Sequence, residues 1–242
     1  VTHEGGDGLV SVETKAPVKG KISIERLARS SPTQPGGDIE LTVTSTDEYD
    51  VSVVNYQGGN SKVTLGEYTT LDAFVTTGAY IRNGSDADIA RYGNAYLDGN
   101  YASIVGAAGV TVYSELGAIE IENLDLVKGF GSDGVAAQSE GGDISIKNIK
   151  NAQSAAGSLR GSDWAIEVES NYGLGASGGG DVSVQNVAVG KVVSGTPDRL
   201  IYTNSANGIS LKSGTGSINL FFGDLDDYLD DDENAIGNIY SQ

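Results

Sequence analysis

The chain has 242 residues, 35 of them glycine, with no cysteine, no methionine and a formal net charge of −18. That charge argues against a basic nucleic-acid face and against adsorption to anionic lipid, and suits an acidic, soluble surface in the salty or divalent-rich medium outside a cell. With no cysteine there is no thiol nucleophile, and the one histidine, His3, stands at the frayed end, which argues against a Ser-His-Asp triad or a histidine-based metal site.

In chain order, the first recognisable element is Gly20-Lys21-Ile22-Ser23-Ile24-Glu25-Arg26-Leu27, a Gly-x-Ile-x-Ile alternation, and Gly37-Asp38-Ile39-Glu40-Leu41 starts another. Between them Ser30–Pro35 reads as a surface loop. Asp50–Val54, Lys62–Leu65, Ala102–Val105 and Gly109–Tyr113 alternate as half-buried strands do. Residues 71–113 parse poorly and are expected to hold an irregular or cap-like section. From residue 117 the pattern sharpens. Gly117–Leu124, Gly142–Ile149 and Gly180–Val187 share one frame, with Asn123, Asn148 and Asn186 at the same place; Gly216–Leu220 is a fourth copy without the Asn. A second element precedes each later copy: Gly134–Ser139, Ala165–Ser170 and Gly208–Ser213, and Asn234–Gln242 resembles it once more. One helical turn is expected in Asp86–Tyr92 or Asp224–Asn234.

The frame repeats at 25, 38 and 36 residues, counted from Ile119 to Ile144, Val182 and Ile218. A fixed motif at variable spacing is the mark of a solenoid whose loops are free to grow. In a parallel β-helix each coil has short strands meeting at sharp corners. Asn and Gly tolerate the left-handed backbone that such a corner requires. One residue spent there returns the next apolar side chain to the interior, which explains Leu124 after Ile119 and Ile121. Asn side chains of successive coils would stack ~4.8 Å apart and bond their amides to one another or to backbone. The expectation is a single all-β domain, residues 1–242, of about 8–10 coils with ~3 strands each. The chain reads as processed or excised, and as a piece of a longer repetitive protein.

The run x-G-I-x-x-x-S-x-G-G-D-I-x-I-x-N resembles the passenger domains of bacterial autotransporter adhesins and the related filamentous-haemagglutinin-like proteins. The resemblance covers most of residues 114–242 well and residues 1–113 loosely. It implies a right-handed parallel β-helix, secretion through an outer-membrane pore and an extracellular location on a bacterial surface; separately, no apolar run is long enough to span a bilayer, so no direct membrane insertion of this part is expected. It also implies non-enzymatic adhesion to a host glycan, an extracellular-matrix protein or a further copy of itself, as in cell–cell aggregation and biofilm. A polysaccharide lyase or tailspike-like glycan hydrolase on the same fold, and a plain spacer stalk, are the alternatives.

Candidate sites follow from residue chemistry. Trp164, Tyr172, Arg199 and Tyr202 lie in the repeats that carry extra length, and aromatics beside Arg on loops are a common binding set. Tyr80, Tyr92, Tyr96, Tyr101 and Tyr113 crowd another region; any of these aromatics could equally cap the core. No cofactor is expected except calcium, for which the acidic run with Asp224, Asp226, Asp230 and Asp232 offers closely spaced oxygens. That run lacks the EF-hand glycine, and a solvated acidic loop is the plainer reading. Glu120, Glu122, Glu167 and Glu169 alternate with core residues and read as a solvated face.

Overall fold

A computed structural model describes residues 2–3, 9–14, 21–26, 37–44, 50–56, 59–73, 76–84, 93–154, 164–170, 179–189, 207–221 and 239–241. The described residues form eighteen β-strands and no helix. The first nine are β1 (Thr2–His3), β2 (Val10–Thr14), β3 (Lys21–Arg26), β4 (Ile39–Val43), β5 (Asp50–Asn55), β6 (Ser61–Leu65), β7 (Thr70–Ala73), β8 (Ala79–Asn83) and β9 (Ala95–Gly106). Then come β10 (Val110–Ser114), β11 (Ile119–Gly129), β12 (Val135–Ser139), β13 (Ile144–Ser154), β14 (Trp164–Glu169), β15 (Val182–Val189), β16 (Asn207–Lys212), β17 (Ile218–Phe221) and β18 (Ile239–Ser241).

The strands sort into two nine-stranded sheets, and every pairing is parallel. One sheet runs β1-β3-β5-β8-β10-β12-β14-β16-β18. The other runs β17-β15-β13-β11-β9-β6-β4-β2, with β7 also paired to β9. From β8 onward the chain alternates between the sheets, so each strand lies on the one laid down a repeat earlier. This is the stacking expected of a parallel solenoid. The frame residues lie over one another: Ile119 pairs with Ile144, Ile144 with Val182, and Val182 with Ile218.

Two sheets suffice because the second and third sides of a coil are two halves of one bent strand. β9, β11 and β13 run 11 or 12 residues through a corner without losing their ladder. Within 71–113, the strands β7 to β10 take places in the two sheets. The Ser30–Pro35 loop and both proposed helical turns lie outside the described residues.

Alternation puts every second side chain inside. Ile119, Ile121, Leu124 and Val127 of β11 are buried, as are Ile144, Ile146, Ile149 and Ala152 at the equivalent places of β13. The core is therefore a set of aliphatic columns, each residue packed on its counterpart in the next coil. Burial of this kind stabilises by roughly 1.5–3 kcal/mol per large aliphatic side chain.

Polar columns close the coil ends. Asn55, Asn83, Ser114, Ser139 and Ser170 stand at the end of successive strands of the first sheet and are buried. They bond the backbone of the turn that follows or of the turn one coil earlier. Asn83 Nδ2 donates to the Gly93 carbonyl at 3.0 Å, Ser114 Oγ to the same carbonyl at 3.0 Å, and Ser170 Oγ to the Gly180 carbonyl at 2.7 Å. A buried turn carries backbone groups that water cannot reach, and these side chains satisfy them. A second polar column precedes the strands of the second sheet, where each carboxylate or amide accepts the N–H one coil on. Asp38 accepts from Asn60 (2.8 Å), Asn60 from Asn94 (3.0 Å), Asn94 from Ala118 (2.9 Å), Asp143 from Asp181 (2.8 Å) and Asp181 from Ser217 (2.7 Å).

Candidate binding surface

In the coils of β11, β13 and β15 the corner of the second sheet carries one left-handed residue each. Asn123, Asn148 and Asn186 have φ of 58°, 57° and 51°. Each directly precedes an inward aliphatic: Leu124, Ile149 and Val187, which pair with one another across the coils. Their amides form a chain. Asn186 Nδ2 donates to Asn148 Oδ1 at 3.2 Å, Asn148 Nδ2 to Asn123 Oδ1 at 2.9 Å, and Asn123 Nδ2 to Asp98 Oδ1 at 3.2 Å.

In the two preceding coils the same place is held by tyrosine. Leu124 pairs with Ala102, so the left-handed residue before it is Tyr101, φ 64°. Thr70 pairs with Ser103, so the counterpart in the coil before is Tyr68, φ 58°. The two rings stack with centroids 6.5 Å apart and planes 27° from parallel. The β9 corner is also wider than that of β11. Three residues, Gly99, Asn100 and Tyr101, separate Asp98 from Ala102, where Asn123 alone separates Glu122 from Leu124. Gly99 fits because its Cα packs on Leu124; a Cβ there would lie 2.2 Å from Leu124 Cδ2. Such insertions re-aim a side chain at a sheet corner, and here the side chain is Tyr101.

Lys150 lies 5.0 Å from the centre of the Tyr101 ring, and its ammonium pairs with Asp125 at 2.9 Å. The bond to Asp125 raises the Lys150 pKa above the ordinary lysine range. The tyrosine pair therefore has a fixed cation and a fixed carboxylate beside it.

On the other side of the corner, Lys62, Tyr96, Leu97, Asp98, Glu120 and Glu122 line a shallow depression of about 240 Å³. Lys147 bridges Glu120 at 2.5 Å and Glu122 at 3.0 Å, and the bond to Glu120, then that to Glu122, raises its pKa. Two of the three carboxylates in the depression are thus engaged by a lysine and the third by Asn123. Among the described residues no group of three or more Asp, Glu, His or Cys side chains is arranged to hold a metal ion.

A second aromatic cluster lies on the outer face of the first sheet. The Arg82 guanidinium is 5.6 Å from the Tyr56 ring centre and 5.5 Å from that of Tyr113, and Tyr113 donates its hydroxyl to Glu140 at 3.0 Å. Burial, then the bond to Glu140, raises the Tyr113 pKa well above the ordinary phenol range.

Of the residues singled out by sequence, Trp164 is half-buried at the start of β14; its N–H donates to Asp133 Oδ1 at 2.6 Å and its carbonyl accepts from Gly134. Tyr172, Arg199 and Tyr202 lie outside the described residues, as do Asp224, Asp226, Asp230 and Asp232. Glu120 and Glu122 face outward as the alternation requires, and Tyr96 joins them in the depression. Tyr68 and Lys150 have no counterpart among the sequence candidates. Tyr68 replaces the corner Asn, so its coil carries no recognisable motif, although its distance from Tyr101 is the coil spacing. Compared with protein-family models, with curated proteins and with solved structures, the chain matches none.

Proposed function

We propose that the chain is a non-enzymatic adhesin fragment of a bacterial surface: a right-handed parallel β-helix whose rigid coils present side chains to a glycan, a matrix protein or another copy. The observation that carries this reading is the exposed Tyr68–Tyr101 stack with Lys150 and Asp125 fixed beside it. Tyrosine presents a large contact area at low entropic cost and is enriched where proteins bind partners. The stacked sheets support the reading too, since a side chain repeated at each coil can make many weak contacts that add up. The acidic charge steers the surface toward neutral or cationic partners. The test is an array of glycans and extracellular-matrix proteins, with and without calcium. Binding without turnover is the expected result; binding to nothing on the array, nor to itself, would leave only a spacer.

A second reading, a glycan-cleaving β-helix, draws on one observation: Asp98, Glu120 and Glu122 share a depression, and glycosidases use paired carboxylates. The ion pairs to Lys147 weigh against it, because the lysine ammonium already occupies both glutamates. Release of reducing ends or unsaturated sugars from polysaccharides, lost on Glu120→Gln, would favour the enzyme.

A further inference from the structure

We propose that the column Tyr68, Tyr101, Asn123, Asn148 and Asn186 is a binding track for an extended, neutral oligosaccharide, with the tyrosine pair stacking on sugar rings at one end and the amides bonding hydroxyls along the rest. The inference rests on the adhesin reading and names its ligand and its face.

The first argument is backbone strain kept at an exposed pair. A bulky aromatic residue in the left-handed region is an outlier, costing on the order of 1–2 kcal/mol relative to a residue that tolerates it. The later coils solve the same corner with Asn. In the two earlier coils Tyr68 and Tyr101 sit at φ 58° and 64° while their side chains remain 66% and 42% exposed, so burial does not offset the cost. The mutual stack and the Lys150 contact hold the pair together at the surface, and strain kept at so exposed a pair points to a use outside the fold. The insertion of Gly99 and Asn100, which turns Tyr101 outward beside Tyr68, works in the same direction.

The second argument is the match between ligand and track. Each ring offers an apolar face and a hydroxyl, which suits the C–H face of a sugar flanked by its own hydroxyls. Asn148 gives one N–H to Asn123 and accepts one bond from Asn186. A carboxamide has two N–H groups and two lone pairs, so a donor and an acceptor remain for a ligand at that coil. The coils advance by about 4.8 Å, close to the length of one residue in an extended β-1,4-linked chain. A straight column fits such a ribbon and not a coiled glucan. The net charge of −18 disfavours polyanionic glycans.

The test uses the intact chain and the double variant Tyr68→Asn/Tyr101→Asn, which leaves charge unchanged. Calorimetry would follow binding of cello- and chito-oligosaccharides from mono- to hexasaccharide. Expected are affinities that rise with length, a loss of about tenfold or more in the variant, as for truncated interface aromatics, and an unfolding midpoint no lower than that of the parent. Equal binding by parent and variant overturns the proposal, as does affinity independent of length. So does a parent that ignores these sugars and instead captures an arginine-rich peptide through the two tyrosines. A parent that adheres to matrix proteins or to itself but to none of the sugars sinks this inference and leaves the adhesin reading standing. A parent that binds none of them sinks both.

Discussion

Asn148 shows what one corner residue contributes. Its backbone is left-handed, φ 57°, and its side chain both donates to Asn123 and accepts from Asn186. Asn148→Ala puts a Cβ residue without a compensating amide in that region and removes the middle of the chain. The expected loss is about 1–2 kcal/mol, read as a lower midpoint in urea. Asn148→Gly keeps the backbone freedom and loses only the amide bonds, so it should fall between the two. The converse holds at the tyrosines, where Tyr68→Asn or Tyr101→Asn should each raise stability by up to about 1 kcal/mol. A stabilising substitution that costs adhesion would separate what the fold requires from what the surface does.

At the level of the element, the glycines before the second-sheet strands answer to crowding more than to turn geometry. A Cβ on Gly142 would lie 2.1 Å from the Gly117 carbonyl oxygen, and one on Gly216 would lie 2.2 Å from that of Gly180. The turn of each coil rests directly on the turn below. Gly142→Ala should therefore destabilise by about 1–3 kcal/mol, measured by thermal or urea unfolding, because the obstructing atom is backbone and has little freedom to yield. A second element-scale test uses Tyr113, which faces Arg82, Glu115 and Glu140. Its folded pKa is raised, so its contribution is whole below the ordinary phenol value of about 10 and is lost as pH rises beyond it. The unfolding midpoint should fall above that pH and fall less in Tyr113→Phe, while absorbance near 295 nm should show a late-ionising phenol that Tyr113→Phe removes.

These elements also show where sequence reading reached and where it stopped. The frame of Ile119, Ile144, Val182 and Ile218 was legible because alternation and burial share a period. The corner was legible wherever Asn held it, since few residues tolerate that backbone. It was hidden at Tyr68 and Tyr101, where a residue of the wrong propensity stands in the same geometry. The buried Ser139 and Ser170 were in view as ends of the second repeated element, whereas Ser114 was not. The function of the column was hidden, because a serine bonded to a neighbouring turn looks like any turn serine until the turn is placed.

At the scale of the whole molecule, stacking makes stability a sum over neighbouring coils, and a coil in perfect register should be removable. β11 and β13 meet that condition. Their pairing keeps a constant offset of 25 residues from Ile119↔Ile144 through Gly129↔Ser154, across the corner. β9 pairs Ala95 with Ile119, and β10 pairs Val110 with Val135, which pairs in turn with Ile166. Deleting residues 119–143 therefore removes β11 and β12 together and lets β13 settle on β9 and β14 on β10. The shortened chain should keep its β-sheet circular dichroism and unfold in one cooperative step at a lower urea concentration, since one coil's worth of buried aliphatic surface is gone. The Asn chain would shorten by one, with Asn148 placed to donate to Asp98. Deleting residues 119–130 instead removes a strand of the second sheet without its partner turn, breaks the alternation between sheets, and should give a chain that does not fold. If both deletions fold equally well, or neither folds, the coils do not stack as independent layers.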